Sequence, residues 1–188
     1  ALWQPPLDHQ RSPPATAFEI RTLDCHTGGE PLRIITAGFP ELHGDSVLAK
    51  RRDCQQHFDG LRRALMWEPR GHADMYGCIV VPPERADSAF GVIFLHNEGY
   101  STMCGHAMIA LAKVAVEAGV VPMMEPVTSF AVDAPCGQIR LFAEVKQGRV
   151  QHCWFHNVPS FVVASDQPLH LPGIGDLRYT LAFYTKRR

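Results

Sequence analysis

Hydrophobic and polar positions change period several times along the chain, and each change marks an element. Residues 18–25, FEIRTLDC, alternate as a half-buried strand does. HTGGEP then turns the chain at two glycines and LRIITAG resumes the strand pattern, which predicts a hairpin with a glycine-rich corner. From about residue 45 to 66 the period lengthens: Leu48, Phe58, Leu61, Leu65 and Met66 recur at helical spacing with charges between them, predicting one amphipathic helix. CIVVPP and FGVIFLHN, rich in β-branched and aromatic residues and separated by the polar stretch ERADSA, predict two neighbouring strands. HAMIALAKVAVEAGVV is alanine-rich and apolar nearly all round, with Lys113 and Glu117 as its charges and Gly119 as a stop. A helix of that kind is wrapped by other elements rather than laid on a surface. TSFAVDAPCGQIRLFAEVKQGRVQHCWFHNVPSFVV alternates as three consecutive strands with breaks at APCG, KQGR and NVP. The fold class this predicts is α+β, a strand-rich lobe around a central helix, without internal repeats.

The ends read differently from the middle. Residues 1–17 carry four prolines and little apolar periodicity, and predict a flexible leader. QPLHLPGIGDLRYTLAF is still building strands when YTKRR closes the sequence, so residues 184–188 read as an atypical tail.

Composition narrows the classes of function. Over 188 residues, 18 Lys and Arg face 19 Asp and Glu, so no excess of one sign points to nucleic acid or an anionic membrane, and a small-molecule partner fits best. No apolar run reaches the roughly 18 residues that would span a bilayer, and the polar N-terminus does not resemble a signal segment; a soluble cytoplasmic enzyme is the expectation. The six cysteines (Cys25, Cys54, Cys78, Cys104, Cys136 and Cys153) lack CxxC spacing and read as reduced thiols. Cys25 with His26 and Cys104 with His106 match no zinc pattern, so no metal is expected.

Candidate chemistry concentrates in EGYSTMCGHAMIAL. It places Cys104 where a loop runs into the buried helix, and there unpaired backbone N–H groups and the helix dipole favour an anion. A thiol at that point is expected to ionise more readily, as a general base near neutral pH requires, and the same N–H groups can receive a substrate carboxylate. Gly105 permits close approach and His106 can orient the bound acid. The plainer alternative is that Cys104 is a small core residue beside an apolar helix. The flanking glycine and histidine at a helix start are not explained by packing alone.

HTGGEPLRI, EPRGHADMYG, HNEGYSTMCGHA and DAPCGQIR, in this order, resemble the successive motifs of the proline racemase family. The resemblance implies that residues 18–183 form the N-terminal lobe of a two-lobed, diaminopimelate epimerase-like fold, each lobe a mixed sheet wrapped on a helix and the two closing on a small imino acid. It also implies that Cys104 is a catalytic acid/base, that Gly105 and His106 contact substrate, that Tyr76 lines the ring pocket, and that no cofactor is needed. A homodimer is a further family expectation. Three activities share removal of the Cα proton: proline racemases, hydroxyproline 2-epimerases and trans-3-hydroxy-L-proline dehydratases. Ala107 after MCGH, where the racemase-like pattern runs MCGHG, favours the dehydratase branch. The residue that decides between them lies in a second lobe, and YTKRR stands where the family runs into the link to that lobe. An inactive, one-lobed product is therefore a third reading. Glu30, Glu68, Arg70, His72 and Asp74 fall in the motifs and are expected to support turns rather than to catalyse.

Overall fold

The computed structural model describes residues 19–183, so the expected leader and the closing tail both lie outside the described residues. The chain divides into two compact units, one running to His156 and the other from Asn157 onward.

In the first unit, strands β1 (Arg21–Thr27) and β2 (Glu30–Ala37) form the expected hairpin, turning at Gly28 and Gly29, whose φ values are +59° and +101°. Left-handed backbone of this kind is where glycine carries no steric penalty. Strands β3 (Tyr76–Val81) and β4 (Ser88–His96) pair antiparallel as neighbours, with the short β5 (Gly99–Ser101) beside β4. The antiparallel strands β6 (Val127–Ala134), β7 (Gly137–Lys146) and β8 (Arg149–His156) follow the three breaks read in the sequence. All join one mixed sheet in the order β1-β2-β3-β4-β6-β7-β8, in which β2–β3 and β4–β6 are the parallel pairs.

The apolar helix α3 (Gly105–Glu117) touches β1 and β2 at one end of this sheet and β7 and β8 at the other, so the sheet curls around it. Its alanines let strands approach closely, and Met108 and Leu111 are fully buried, each worth about 1.5–3 kcal/mol relative to exposure. Gly119, at φ +72°, ends it as expected. The outer face of β2–β4 is covered by two further helices, through Val47, Cys54, Leu65 and Met66 packed on Ile35, Ile79, Val81, Ile93 and Leu95. Strand β4 is therefore buried on both faces, which is why FGVIFLHN reads as a continuous apolar run rather than an alternation.

Those two helices correct the single helix expected over 45–66. α1 (Val47–His57) is capped by the Ser46 hydroxyl, which accepts the Ala49 N–H at 3.1 Å, and α2 (Asp59–Met66) follows directly. Phe58 breaks the run at φ −127°, ψ 17° and sets its ring edge-on to Phe39, 6.1 Å away. Asp59 restarts the helix, its charge favourable in a first turn and paired with Arg62 at 2.6 Å.

The second unit is an antiparallel ribbon of β9 (Phe161–Leu171) and β10 (Gly175–Phe183). Along β10 the exposed apolar residues Leu177, Tyr179, Leu181 and Phe183 alternate with Asp176, Arg178 and Thr180, so one face of the ribbon is apolar.

Candidate active site

The expected site residues Cys104, Gly105, His106 and Tyr76 come together where β5 runs into α3. Cys104 is the N-cap of the helix, extended at φ −145°, ψ 110°, with 7% of its surface exposed. Its Sγ lies 3.4 Å from Nδ1 of His106 and 3.8 Å from Nε2. Nε2 is 3.2 Å from the carbonyl oxygen of Pro31, and the Thr27 hydroxyl donates to the His106 carbonyl at 2.9 Å. Tyr76, on β3, stands edge-on to the His106 ring at 4.8 Å and packs on His96 at 5.5 Å on its other side. A methyl group at Gly105 would meet the ring of Phe155 at 3.4 Å, which is ordinary contact, so packing within the unit does not by itself demand glycine there.

The electrostatics correct one expectation. The Ala107 N–H, in the first turn of α3, does lower the Cys104 thiol, as a helix start should. Burial outweighs it, with the charge of Glu30 adding in the same direction, and the thiol is pushed up to about 11. The helix start was visible in the sequence; the desolvation by surrounding strands was not. Burial, then the nearby charges of Cys104, Glu30, Asp74 and Glu98, also raises the Tyr76 phenol. Burial and the Arg62 guanidinium lower His96. Cys78, beneath the site, is raised well above an ordinary thiol by complete burial and by Cys25 and Cys104.

The EPRGHADMYG segment supports the site from below. Asn97 donates to the carbonyls of Met66 (2.9 Å) and His72 (2.8 Å), and Arg33, paired with Asp24, donates to those of Leu65 (2.8 Å) and Arg70 (2.6 Å). Arg70 itself donates to the Ala64 carbonyl at 2.6 Å. Gly71 leaves no room for a side chain: a Cβ there would fall 2.1 Å from the Met66 carbonyl oxygen. Arg70 and His72 thus hold turns, and the charges of Glu30 and Asp74 are felt at Tyr76. An open cavity of about 410 Å³ beside Tyr76 is lined by Ala73, Asp74, His96, Asn97 and Glu98, whereas one of about 490 Å³ lies among residues 35–44, Lys50 and 79–82, apart from the thiol. Thr27, the Pro31 carbonyl, Asn97 and Phe155 were not singled out from the sequence. Thr27 and Pro31 do lie in the HTGGEP corner, the one signal that marked them. Among the described residues no group of three or more His, Cys, Asp or Glu side chains is arranged to hold a metal ion, and no helix is long and apolar enough to cross a membrane.

The described first unit is thus a sheet curled on one apolar helix, with a buried thiol and an imidazole at the first turn of that helix. The chain belongs to the proline racemase family, whose profile matches residues 22–185. It is 54% identical over 181 residues to a trans-3-hydroxy-L-proline dehydratase of Colwellia psychrerythraea, covering 96% of this chain and 50% of the relative. Against the human trans-3-hydroxy-L-proline dehydratase it is 49% identical over 173 residues, covering 88% and 49%. Among solved structures it resembles a hydroxyproline epimerase from Agrobacterium vitis with bound trans-4-hydroxy-L-proline, at 25% identity and a TM-score of 0.77, covering 87% of this chain and 48% of that one. A probable proline racemase from Agrobacterium radiobacter matches at 28% identity and a TM-score of 0.78, covering 87% and 49%. The chain spans about half the length of the curated relatives it matches.

Proposed function

We propose that these residues form one lobe of a trans-3-hydroxy-L-proline dehydratase, in which Cys104 removes the Cα proton of the substrate. The observation that carries this is the placement of the Cys104 thiol at the start of α3 beside His106 and Tyr76. The dehydratases at 49–54% identity favour dehydration over the racemisation or epimerisation named for the solved structures at 25–28%.

In this reading the substrate carboxylate lies on the N–H groups of Gly105 and His106, with Tyr76 against the imino-acid ring. The thiolate takes the Cα proton, and the electron pair left on Cα forms a double bond to the β-carbon as hydroxide leaves. Hydroxide and the abstracted proton make water, and the enamine tautomerises to a cyclic imine. Helix dipoles and hydrogen bonds stabilise the developing charge, so the chemistry needs no cofactor. The protein works as a soluble cytoplasmic enzyme, and the second half of the family architecture supplies the opposite wall of the cleft and the partner residue.

The test joins residues 1–183 to the second half of the Colwellia relative. The product should convert trans-3-hydroxy-L-proline to a cyclic imine that reacts with o-aminobenzaldehyde, should leave L-proline optically unchanged, and should lose activity on Cys104→Ser. Rapid formation of D-proline would overturn the dehydratase reading in favour of a racemase.

A further inference from the structure

The two ends of the site differ in the charge they accept. The start of α3 offers N–H groups to a carboxylate, whereas the open cavity of about 410 Å³ beside Tyr76 and His96 carries the carboxylates of Asp74 and Glu98, whose charges are felt at the Tyr76 phenol. An imino acid that sets its carboxylate on α3 therefore turns another edge of its ring toward that cavity.

His96 is placed to meet that edge. It closes β4 as the direct cross-strand neighbour of Tyr76, so the two side chains share a face of the sheet, and the rings of His106, Tyr76 and His96 follow one another at 4.8 and 5.5 Å. The Glu98 backbone N–H, which can only donate, is held by Nδ1 at 3.3 Å, and this puts the ring hydrogen on Nε2. Burial, then the Arg62 guanidinium, lowers the imidazole below its usual value even with Glu98 opposing, so the ring is neutral at about pH 8. Nε2 has no hydrogen-bond partner among the described residues and is not buried. Asn97, which also lines the cavity, already donates its amide N–H groups to the carbonyls of Met66 and His72.

We propose that His96 is the specificity-determining residue of this site: it recognises the hydroxyl of a hydroxylated imino acid by donating from Nε2 across the cavity beside Tyr76. The inference deepens the function proposed above and rests on its placement of the substrate. A hydroxyl oxygen accepts where a ring methylene cannot, so the donor is satisfied by the hydroxylated compound and left unpaired by plain proline. The ring nitrogen, a cation without a lone pair, cannot take this donor, so it is the hydroxylated edge that faces His96.

Two measurements test this. In the 188-residue chain, long-range proton–nitrogen correlation spectra of ¹⁵N-histidine protein at about pH 8 should show His96 as the Nε2–H tautomer, and the Nδ1–H tautomer would overturn the proposal. In the joined two-lobed protein carrying Cys104→Ser, so that nothing turns over, calorimetry gives the dissociation constants of trans-3-hydroxy-L-proline and L-proline. The hydroxylated compound should bind more tightly. His96→Asn keeps an acceptor for the Glu98 N–H but puts nothing where Nε2 stood, and should reduce that preference by about three- to tenfold, as loss of one neutral hydrogen bond does. His96→Gln, whose amide reaches about as far as Nε2, should hold the preference to within about twofold. Equal weakening of both compounds in His96→Asn would show that His96 only shapes the pocket, and a preference lost on Tyr76→Phe but kept on His96→Asn would assign the hydroxyl to the phenol; either result sinks the inference. Because the thiol is absent from these proteins, the result does not depend on what Cys104 does: failure of dehydration in the joined protein with Cys104 in place, with these results intact, would instead count against the function proposed above.

Discussion

Two glycines of the first unit make opposite predictions from geometry alone. At Gly71 a Cβ would lie 2.1 Å from the carbonyl oxygen of Met66 and 2.2 Å from its carbon. Both atoms are backbone, so relief requires the 67–75 segment to lift by about an ångström, about the shortfall from ordinary contact. That motion pulls against the Asn97 bonds to Met66 and His72 and the Arg33 bonds to Leu65 and Arg70. Overpacking of this kind costs about 1–3 kcal/mol, and with backbone on both sides and four hydrogen bonds at stake Gly71→Ala belongs at the upper end, about 3 kcal/mol. For a chain of this size that is a fall of about 6–12 °C in Tm. Gly60, inside α2, has nothing within 4 Å of its Cβ position, and Gly60→Ala should raise Tm by about 1–4 °C through helix propensity alone. Circular dichroism melts of the three proteins, with Trp67 fluorescence reporting the loop because its indole donates to the Asn97 carbonyl at 2.8 Å, make the comparison direct. A Gly71→Ala protein melting within about 2 °C of the wild type, with unchanged Trp67 emission, would refute the claim that this close approach holds the floor of the site.

Alkaline stability should reflect the buried thiols. Cys25, Cys54, Cys104, Cys136 and Cys153 are each raised by burial from 9.0 to about 11, so the folded chain holds protons that the unfolded chain releases. Their contribution is fully present below pH 9.0, the unfolded value, and is lost as pH rises through about 11; urea midpoints measured from pH 8 to 11 should fall across that window and fall less in Cys54→Ala. A flat profile would contradict the burial of these groups. The 188 residues on their own should not exchange the Cα proton of L-proline or trans-3-hydroxy-L-proline into heavy water, since general base catalysis needs a substrate fixed within hydrogen-bond reach in a site closed to solvent. Exchange by a monomeric sample, read by NMR, would show that one wall suffices.

Much of this architecture was legible because its signals are local. The β1–β2 corner declares itself through paired glycines, β6–β8 through alternation, and α3 through an apolar surface that has to be wrapped. The joint at Phe58 was not legible, because Leu61 and Leu65 carry the helical period straight across it and the ring's burial against Phe39 is a tertiary fact. At the site, Cys104 and His106 stand two residues apart and could be grouped by reading, and Tyr76 followed from the motif that contains it. Thr27 and the Pro31 carbonyl reach His106 from 79 and 75 positions away, and a backbone oxygen leaves no trace in side-chain pattern. The thiol's raised pKa escaped for the same reason: a helix start can be read, but the strands that dry it come from both ends of the sheet.

The arrival of contacts at the first turn of α3 from both ends of the sheet also sets an order of events during folding. Thr27 reaches His106 from one side and Phe155 lies over Gly105 from the other, so the pocket draws on a span of well over a hundred residues. Closing such separations is slow compared with winding a helix or zipping a hairpin. The helix and the β1–β2 corner can form early and independently, whereas the environment of Cys104 is completed when β8 adds to the sheet. The first turn of α3 is thus a late reporter of folding: His106 and Gly105 reach their final contacts only when strands from both ends of the sheet are in place.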